Sequence, residues 1–237
     1  MSNQLFKLKH FDVAHDRSTM KVGTDAMILG AVAVHEQPKF ILDIGTGCGI
    51  LALMMAQKYL NSRIYAIDID EESTDQALSN FMRSNFRNLS SIRISIQDFA
   101  RETSQKFDLI VSNPPFFQHD LKSESDKKNL ARHNDNLSFE ELISDAKSLL
   151  SDTGVFWFIL PARYDSIIQN ITNQNQMFIQ SLIELTNDYQ ENPVRIIYAI
   201  SKKEQSIQKT KMNIRINGKY SSEYIELTRD FHDRPLF

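Results

Sequence analysis

Residues 40–59 read FILDIGTGCGILALMMAQKY. The apolar run Phe40–Ile44 predicts a short buried strand. Gly45, Gly47 and Gly49 stop it, and Ile50–Tyr59 follows as a helix that is apolar on most sides and therefore buried. Glycines at alternate positions let the backbone turn sharply and let a ligand approach main-chain N–H groups at the helix start. The same run also serves as a plain tight turn.

Outward from this unit, strands and helices alternate. Arg63–Asp68 (RIYAID) predicts a second strand ending in an acid, and Glu71–Arg83 its crossover helix. Ser91–Ile96 (SIRISI) alternates like a third strand, and Phe107–Ser112 (FDLIVS) is a fourth, ending at Asn113-Pro114-Pro115. Upstream, Thr24-Asp25 caps the very apolar helix AMILGAVAV. Downstream, His119–Asn136 is a long polar loop. Ser138, with Glu141 three residues on, opens a helix to Leu150. Gly154–Leu160 predicts an aromatic strand and Ala162–Asn170 a helix. Phe178–Leu185 and Val194–Ser201 are the last two strands expected, paired as an antiparallel hairpin because no helix separates them. Ser221–Phe231 closes the chain as a short helix. The expectation is an α/β, Rossmann-like fold with right-handed crossovers. It has a seven-stranded, mostly parallel sheet with one antiparallel strand, helices on both faces, and one domain over residues 1–237.

Composition agrees with a globular α/β chain: 237 residues, 41% hydrophobic, 24% charged and 10% aromatic, which excludes fibrous and wholly disordered classes. The single cysteine, Cys48, forms no internal disulfide, so a reducing compartment is expected. The longest apolar run, Ala26–Val34, is too short to span a bilayer. The start MSNQLFKLKHFDV lacks the apolar block of a signal peptide, so a cytoplasmic setting is expected. Residues 1–192 carry 18 basic and 25 acidic side chains, whereas 193–237 carry 9 and 5. Within 193–219 the ratio is 7 to 1. Such a basic stretch on an acidic body suits phosphate, or is simply a solvated strand or loop. His15, His133 and His232 lack ligand spacing, so no metal is expected.

The chemistry-bearing residues fall at strand ends, where open α/β sheets bind ligands. Asp43 precedes the first glycine; its carboxylate would repel a pyrophosphate and welcome an ammonium group. The spacing G-x-G-x-G also lacks the third-glycine position of the dinucleotide fingerprint. Both points favour S-adenosylmethionine over a nicotinamide cofactor. Asp68, 19 residues after Gly49 and followed by Ile69, is placed to accept from both ribose hydroxyls, or else to cap the next helix. Asp98 at the third strand end can accept from an adenine amino group, with Phe99 stacking on the ring. At the fourth, Asn113 and the Pro114 carbonyl offer two acceptors for both hydrogens of a planar –NH₂ group. Pro115 stiffens the turn. Phe116 offers a face on which a flipped base stacks, worth about 1–3 kcal/mol.

DIGTGCG, the acid at Asp68 and NPPF together resemble the class I, Rossmann-like methyltransferases of the N-methylating kind. The stretch Val13–Gly30, with KVGTDAMILG, resembles one branch of them, the tRNA1(Val) adenine-N6 methyltransferases. NPPFF, Ala131-Arg132 and the closing YSSEYIELTRDF are similar to that branch as well. The resemblance implies further cofactor contacts from Lys21, Gly23 and Thr24. It implies a tRNA substrate, a valine isoacceptor. The loop around Lys127-Lys128 and Arg132 is expected as an RNA contact and Phe117 as a substrate contact. The basic residues Lys202, Lys203, Lys209, Lys211 and Arg215 are expected beside the pocket mouth. A monomer is expected. The same NPPF geometry would serve an rRNA guanine N2 or a protein glutamine, and a nucleotide-binding module without catalysis would need Asn113 to be merely structural.

Overall fold

The computed structural model describes residues 5–18, 21–114, 137–188, 192–234 and 236. A hairpin, β1 (Leu5–Lys7) and β2 (Asp12–Ala14), precedes α1 (Thr24–Val32). Then come β3 (Phe40–Ile44), α2 (Ile50–Lys58), β4 (Arg63–Asp68), α3 (Glu71–Arg83) and β5 (Leu89–Arg93). Next are α4 (Ile96–Glu102), β6 (Phe107–Ser112), α5 (Phe139–Leu149) and β7 (Leu150–Pro161). A 3-10 turn (Ala162–Tyr164) leads into α6 (Asp165–Gln174), β8 (Phe178–Asn187) and β9 (Arg195–Ser201). The last elements are β10 (Gln208–Ile216), β11 (Lys219–Tyr220) and α7 (Ser222–Thr228).

One sheet carries nine strands in the order β11-β10-β8-β9-β7-β6-β3-β4-β5. The seven expected strands, β3–β9, form its body, and β9 runs antiparallel to both β7 and β8 as the helix-free connection requires. Beyond them the sheet is longer than expected. β10 adds in parallel to β8, and β11 folds back on β10. QKTKMNIRI did not register as a strand because its lysines face solvent along an outer strand, leaving only one apolar row.

Alternating side chains of the strands face two separate cores. Ile41, Leu109, Val111, Trp157 and Ala199 pack with α1, α2, α3 and α7 on one face. Leu42, Ile110, Phe156, Phe158 and Tyr198 pack with α4, α5 and α6 on the other. This is why α1, apolar on every side, is a stable helix here: α2, α7 and the sheet cover it. The amphipathic α5 instead starts at a capping box between Ser138 and Glu141. Among the described residues no helix is long and apolar enough to cross a membrane.

The third strand ends earlier than its pattern predicts, at Arg93 rather than Ile96. Ser95 accepts from the Asp98 N–H and so starts α4, which overrides the local alternation. Asp98 and Phe99 therefore belong to a helix, not to a strand end.

Candidate active site at the carboxyl edge

The glycine loop is built from β3 and held by β4. The Gly45 and Thr46 N–H groups donate to the Ile67 carbonyl at 2.9 and 3.0 Å. The Gly47 N–H donates to Asp68 Oδ2 at 2.9 Å, and the Asp70 N–H to Asp68 Oδ1 at 3.0 Å. Asp68 is half-buried and each oxygen keeps an open lone pair, which suits a pair of ribose hydroxyls. Ile69, next to it, is 57% exposed and puts an apolar side chain beside that acid.

Two glycines are required by shape. Gly49 has φ +84°, and a Cβ there would lie 2.5 Å from the Phe81 ring. Gly47 has φ +54° but faces open space, which leaves room for a ligand against its backbone.

Asp43 sits under the loop, wholly buried. Its Oδ2 accepts from Thr46 Oγ1 at 2.6 Å and from the Ala52 N–H at 3.1 Å, while Oδ1 has no partner. Burial pushes its carboxyl up to about 7; the Asp68 charge adds to this, while the two hydrogen bonds oppose it. Asp43 is thus a buried strut of the loop rather than a carboxylate open to a ligand's ammonium group.

Asn113 follows β6, the strand beside β3, so it stands next to the glycine loop. Its Oδ1 is buried and has no hydrogen-bond partner among the described residues, the position of an acceptor waiting for a donor. The buried Pro114 follows directly. Pro115, Phe116, Phe117 and Arg132 lie outside the described residues.

The N-terminus of α1 reaches the same edge. Gly23 is its N-cap and Thr24 its first residue, with the exposed Lys21 just before. Asp25 pairs with Arg195 at 2.8 Å, tying this end to the start of β9. Free N–H groups there suit a carboxylate.

Some expectations give way. Phe99 is 7% exposed and packs on Phe107, centroids 5.9 Å apart, so it is a core ring rather than a stacking face. The Asp98 carboxylate accepts from Ser95 Oγ and pairs with Arg101, which holds its carboxyl below the usual range. Lys202 and Lys203 are not beside the pocket mouth. They follow Ser201, which pairs with Val155 and Phe178 at the amino edge, and Lys202 Nζ donates to the Leu150 carbonyl at 2.7 Å. Lys209 and Lys211 lie on β10, four strands from β6 and so about 19 Å away. Arg215, opposite Asn187 at the end of β8, is on the carboxyl edge, its guanidinium 4.2 Å from the Tyr220 ring centroid.

The sequence reading missed a clamp. Asn80, wholly buried on α3, donates to the carbonyls of Ala14 and Cys48, both at 2.8 Å, and accepts from the Ala14 N–H at 3.0 Å. One turn earlier, Gln76 accepts from the Arg17 and Ser18 N–H groups and donates to Asp16. Two amides at i, i+4 on the buried face of an amphipathic helix were the available signal.

These features coincide with known proteins. The methyltransferase small domain family matches residues 14–181. A tRNA1(Val) (adenine(37)-N6)-methyltransferase of Bacteroides fragilis is 37% identical, over 98% of this chain and 99% of its own. The protein of the same name from Phocaeicola vulgatus is 39% identical over the same shares. Among solved structures, a ribosomal protein L11 methylase from Lactobacillus delbrueckii subsp. bulgaricus superposes with a TM-score of 0.55 at 23% identity, over 76% of this chain and 77% of that one. A predicted O-methyltransferase from Agrobacterium tumefaciens reaches 0.62 at 17% identity, over 87% and 96%. These likenesses carry the fold. The chain is an S-adenosylmethionine-dependent methyltransferase and belongs to the family of the tRNA1(Val) (adenine(37)-N6)-methyltransferases.

Proposed function

We propose that this enzyme methylates the exocyclic N6 of adenine 37, directly 3′ of the anticodon, in tRNA1(Val). The relatives' names supply the substrate. The observation that carries the chemistry is the unpartnered, buried Oδ1 of Asn113 beside the glycine loop and Pro114. Bound S-adenosylmethionine supplies an electrophilic methyl group. Asp68 and Ile69 receive its nucleoside end, the Gly45–Gly49 backbone its middle, and the α1 N-terminus at Gly23-Thr24 its carboxylate.

Asn113 Oδ1 and the Pro114 carbonyl accept the two hydrogens of the target amine. Held so, the nitrogen lone pair is drawn out of conjugation with the ring and aimed at the methyl donor. As the N–C bond forms, the sulfonium S–C bond breaks, leaving the neutral thioether. The nitrogen, acidic only at that point, gives up its proton to solvent, so no strong base is needed. Catalysis is then positioning plus polarisation. Phe116 supplies the stacking face for the flipped base and Arg132 a contact to RNA. The whole chain, 1–237, acts as one domain and as a monomer, in the cytoplasm where tRNA is modified.

The test is to incubate the protein with labelled S-adenosylmethionine and total RNA, then identify the labelled nucleoside and its position. N6-methyladenosine at position 37 of a valine tRNA is expected. Label in a guanine or in a protein glutamine would replace this reading with one of its rivals.

A further inference from the structure

One basic group on the rim of the site has no part in the account above. β7 lies beside β6, with Phe158 opposite Ser112. The chain therefore leaves the sheet at Pro161 on the carboxyl edge, three residues past the pairing of Phe158 with Ser112, on the strand beside the one that leads into Asn113 and Pro114. It turns at once through Ala162–Tyr164. There the exposed Arg163 guanidinium lies 4.8 Å from the Tyr164 ring centroid, and its Nη2 donates to the Tyr164 hydroxyl at 3.1 Å. Tyr164 meets the Phe139 ring edge-on at 5.1 Å, where the described chain resumes into α5. Arg93, Arg101, Arg195 and Arg229 each pair with a carboxylate; among the described residues Arg163 does not.

We propose that Arg163 binds a backbone phosphate of the RNA strand that delivers the target adenosine. This rests on the RNA reading of the same site. A base presented to Asn113 must leave its stack while its phosphates stay in the strand outside the pocket. A guanidinium is a planar fork matched to phosphate. Here the Tyr164 face and hydroxyl already fix its plane, so less side-chain freedom is lost on binding. The surrounding body carries an excess of acids, 25 against 18 basic residues over 1–192, and repels phosphate. A cation held at the rim offsets that repulsion where the strand must approach.

The experiment compares the full-length wild type with Arg163→Gln and Arg163→Lys on one tRNA transcript, across a salt series. Arg163→Gln should raise KM for tRNA about three- to tenfold and lower the slope of log(kcat/KM) against log salt by about 0.7–0.9. Arg163→Lys should keep the slope, because the charge remains. Melting temperature and S-adenosylmethionine affinity should match the wild type in both, since the side chain is exposed and away from the glycine loop. An unchanged KM and slope in Arg163→Gln would overturn the inference, as would a slope lost equally in Arg163→Lys. If the wild type labels tRNA and Arg163→Gln behaves like it, only the role of Arg163 fails. If the wild type labels no RNA, the proposed function fails first.

Discussion

The Asp68 carboxylate accepts a hydrogen bond from the Gly47 N–H at 2.9 Å, so the acid that ends β4 and the loop that ends β3 form one unit. Asp68 holds the shape of this loop, and in the proposed binding mode it also receives the cofactor's ribose. Asp68→Ala should weaken S-adenosylmethionine binding by about 1–3 kcal/mol, because ribose hydroxyls lose a charged acceptor. Calorimetry returning the wild-type affinity would move the ribose site elsewhere.

Asp43 gives a pH dependence with a definite sign. Its carboxyl, ordinarily ionising near 3.8, is pushed up to about 7 by complete burial. The folded state holds that proton more tightly than the unfolded chain does. The contribution to stability is therefore full below about pH 4 and is lost as pH rises through about 7. Asp43→Asn mimics the protonated group and does not titrate. Relative to the wild type, this variant should gain stability between pH 4 and 8 by on the order of a few kcal/mol. Urea unfolding at several pH values checks this; a difference that is flat with pH would show that Asp43 is ionised throughout.

Asn80 makes three buried hydrogen bonds to the backbone of Ala14 and Cys48. Asn80→Ala should cost about 2–4 kcal/mol of stability, because buried groups of Ala14 and Cys48 lose their partners. It should also weaken S-adenosylmethionine binding through the glycine loop, to which Cys48 belongs. Denaturant unfolding together with calorimetry separates the two effects. An affinity unchanged in a destabilised variant would confine Asn80 to the fold.

The basic residues divide by position. Neutralising Lys209, Lys211 and Arg215 together should raise KM for tRNA and lower its salt slope by a little under one unit per lost phosphate contact. Phosphate contacts bind ground and transition states alike, so kcat at saturating tRNA should move little. Neutralising Lys202 and Lys203, at the amino edge, should leave the salt slope unchanged. Steady-state kinetics across a salt series reads both, and equal effects from the two sets would contradict this placement.

Legibility in the sequence followed local physics. β3, β4, β6 and α3 begin and end where their patterns place them, because apolar strands bounded by Gly, Asp or Asn-Pro leave little ambiguity. β5 was misread because Ser91–Ile96 alternates like a strand although Ser95 caps a helix; Asp98 and Phe99 were misplaced with it. β10 was missed because an outer strand needs only one apolar row. The glycine loop, Asp68 and Asn113 stand at the ends of β3, β4 and β6, where the strand patterns place them. The amides at Gln76 and Asn80 marked a polar pair on the buried face of α3, but their partners, up to 66 positions away, are encoded by no local pattern.

The central claim is that Asn113 polarises the target amine and does not hold the cofactor. Single-turnover methylation of tRNA by Asn113→Ala, measured beside its S-adenosylmethionine affinity, tests it most directly. The account predicts a rate lower by a factor of about 10²–10³ with cofactor affinity intact, as for one lost polarising acceptor. A near-normal rate, or a loss that merely follows weakened cofactor binding, would contradict it.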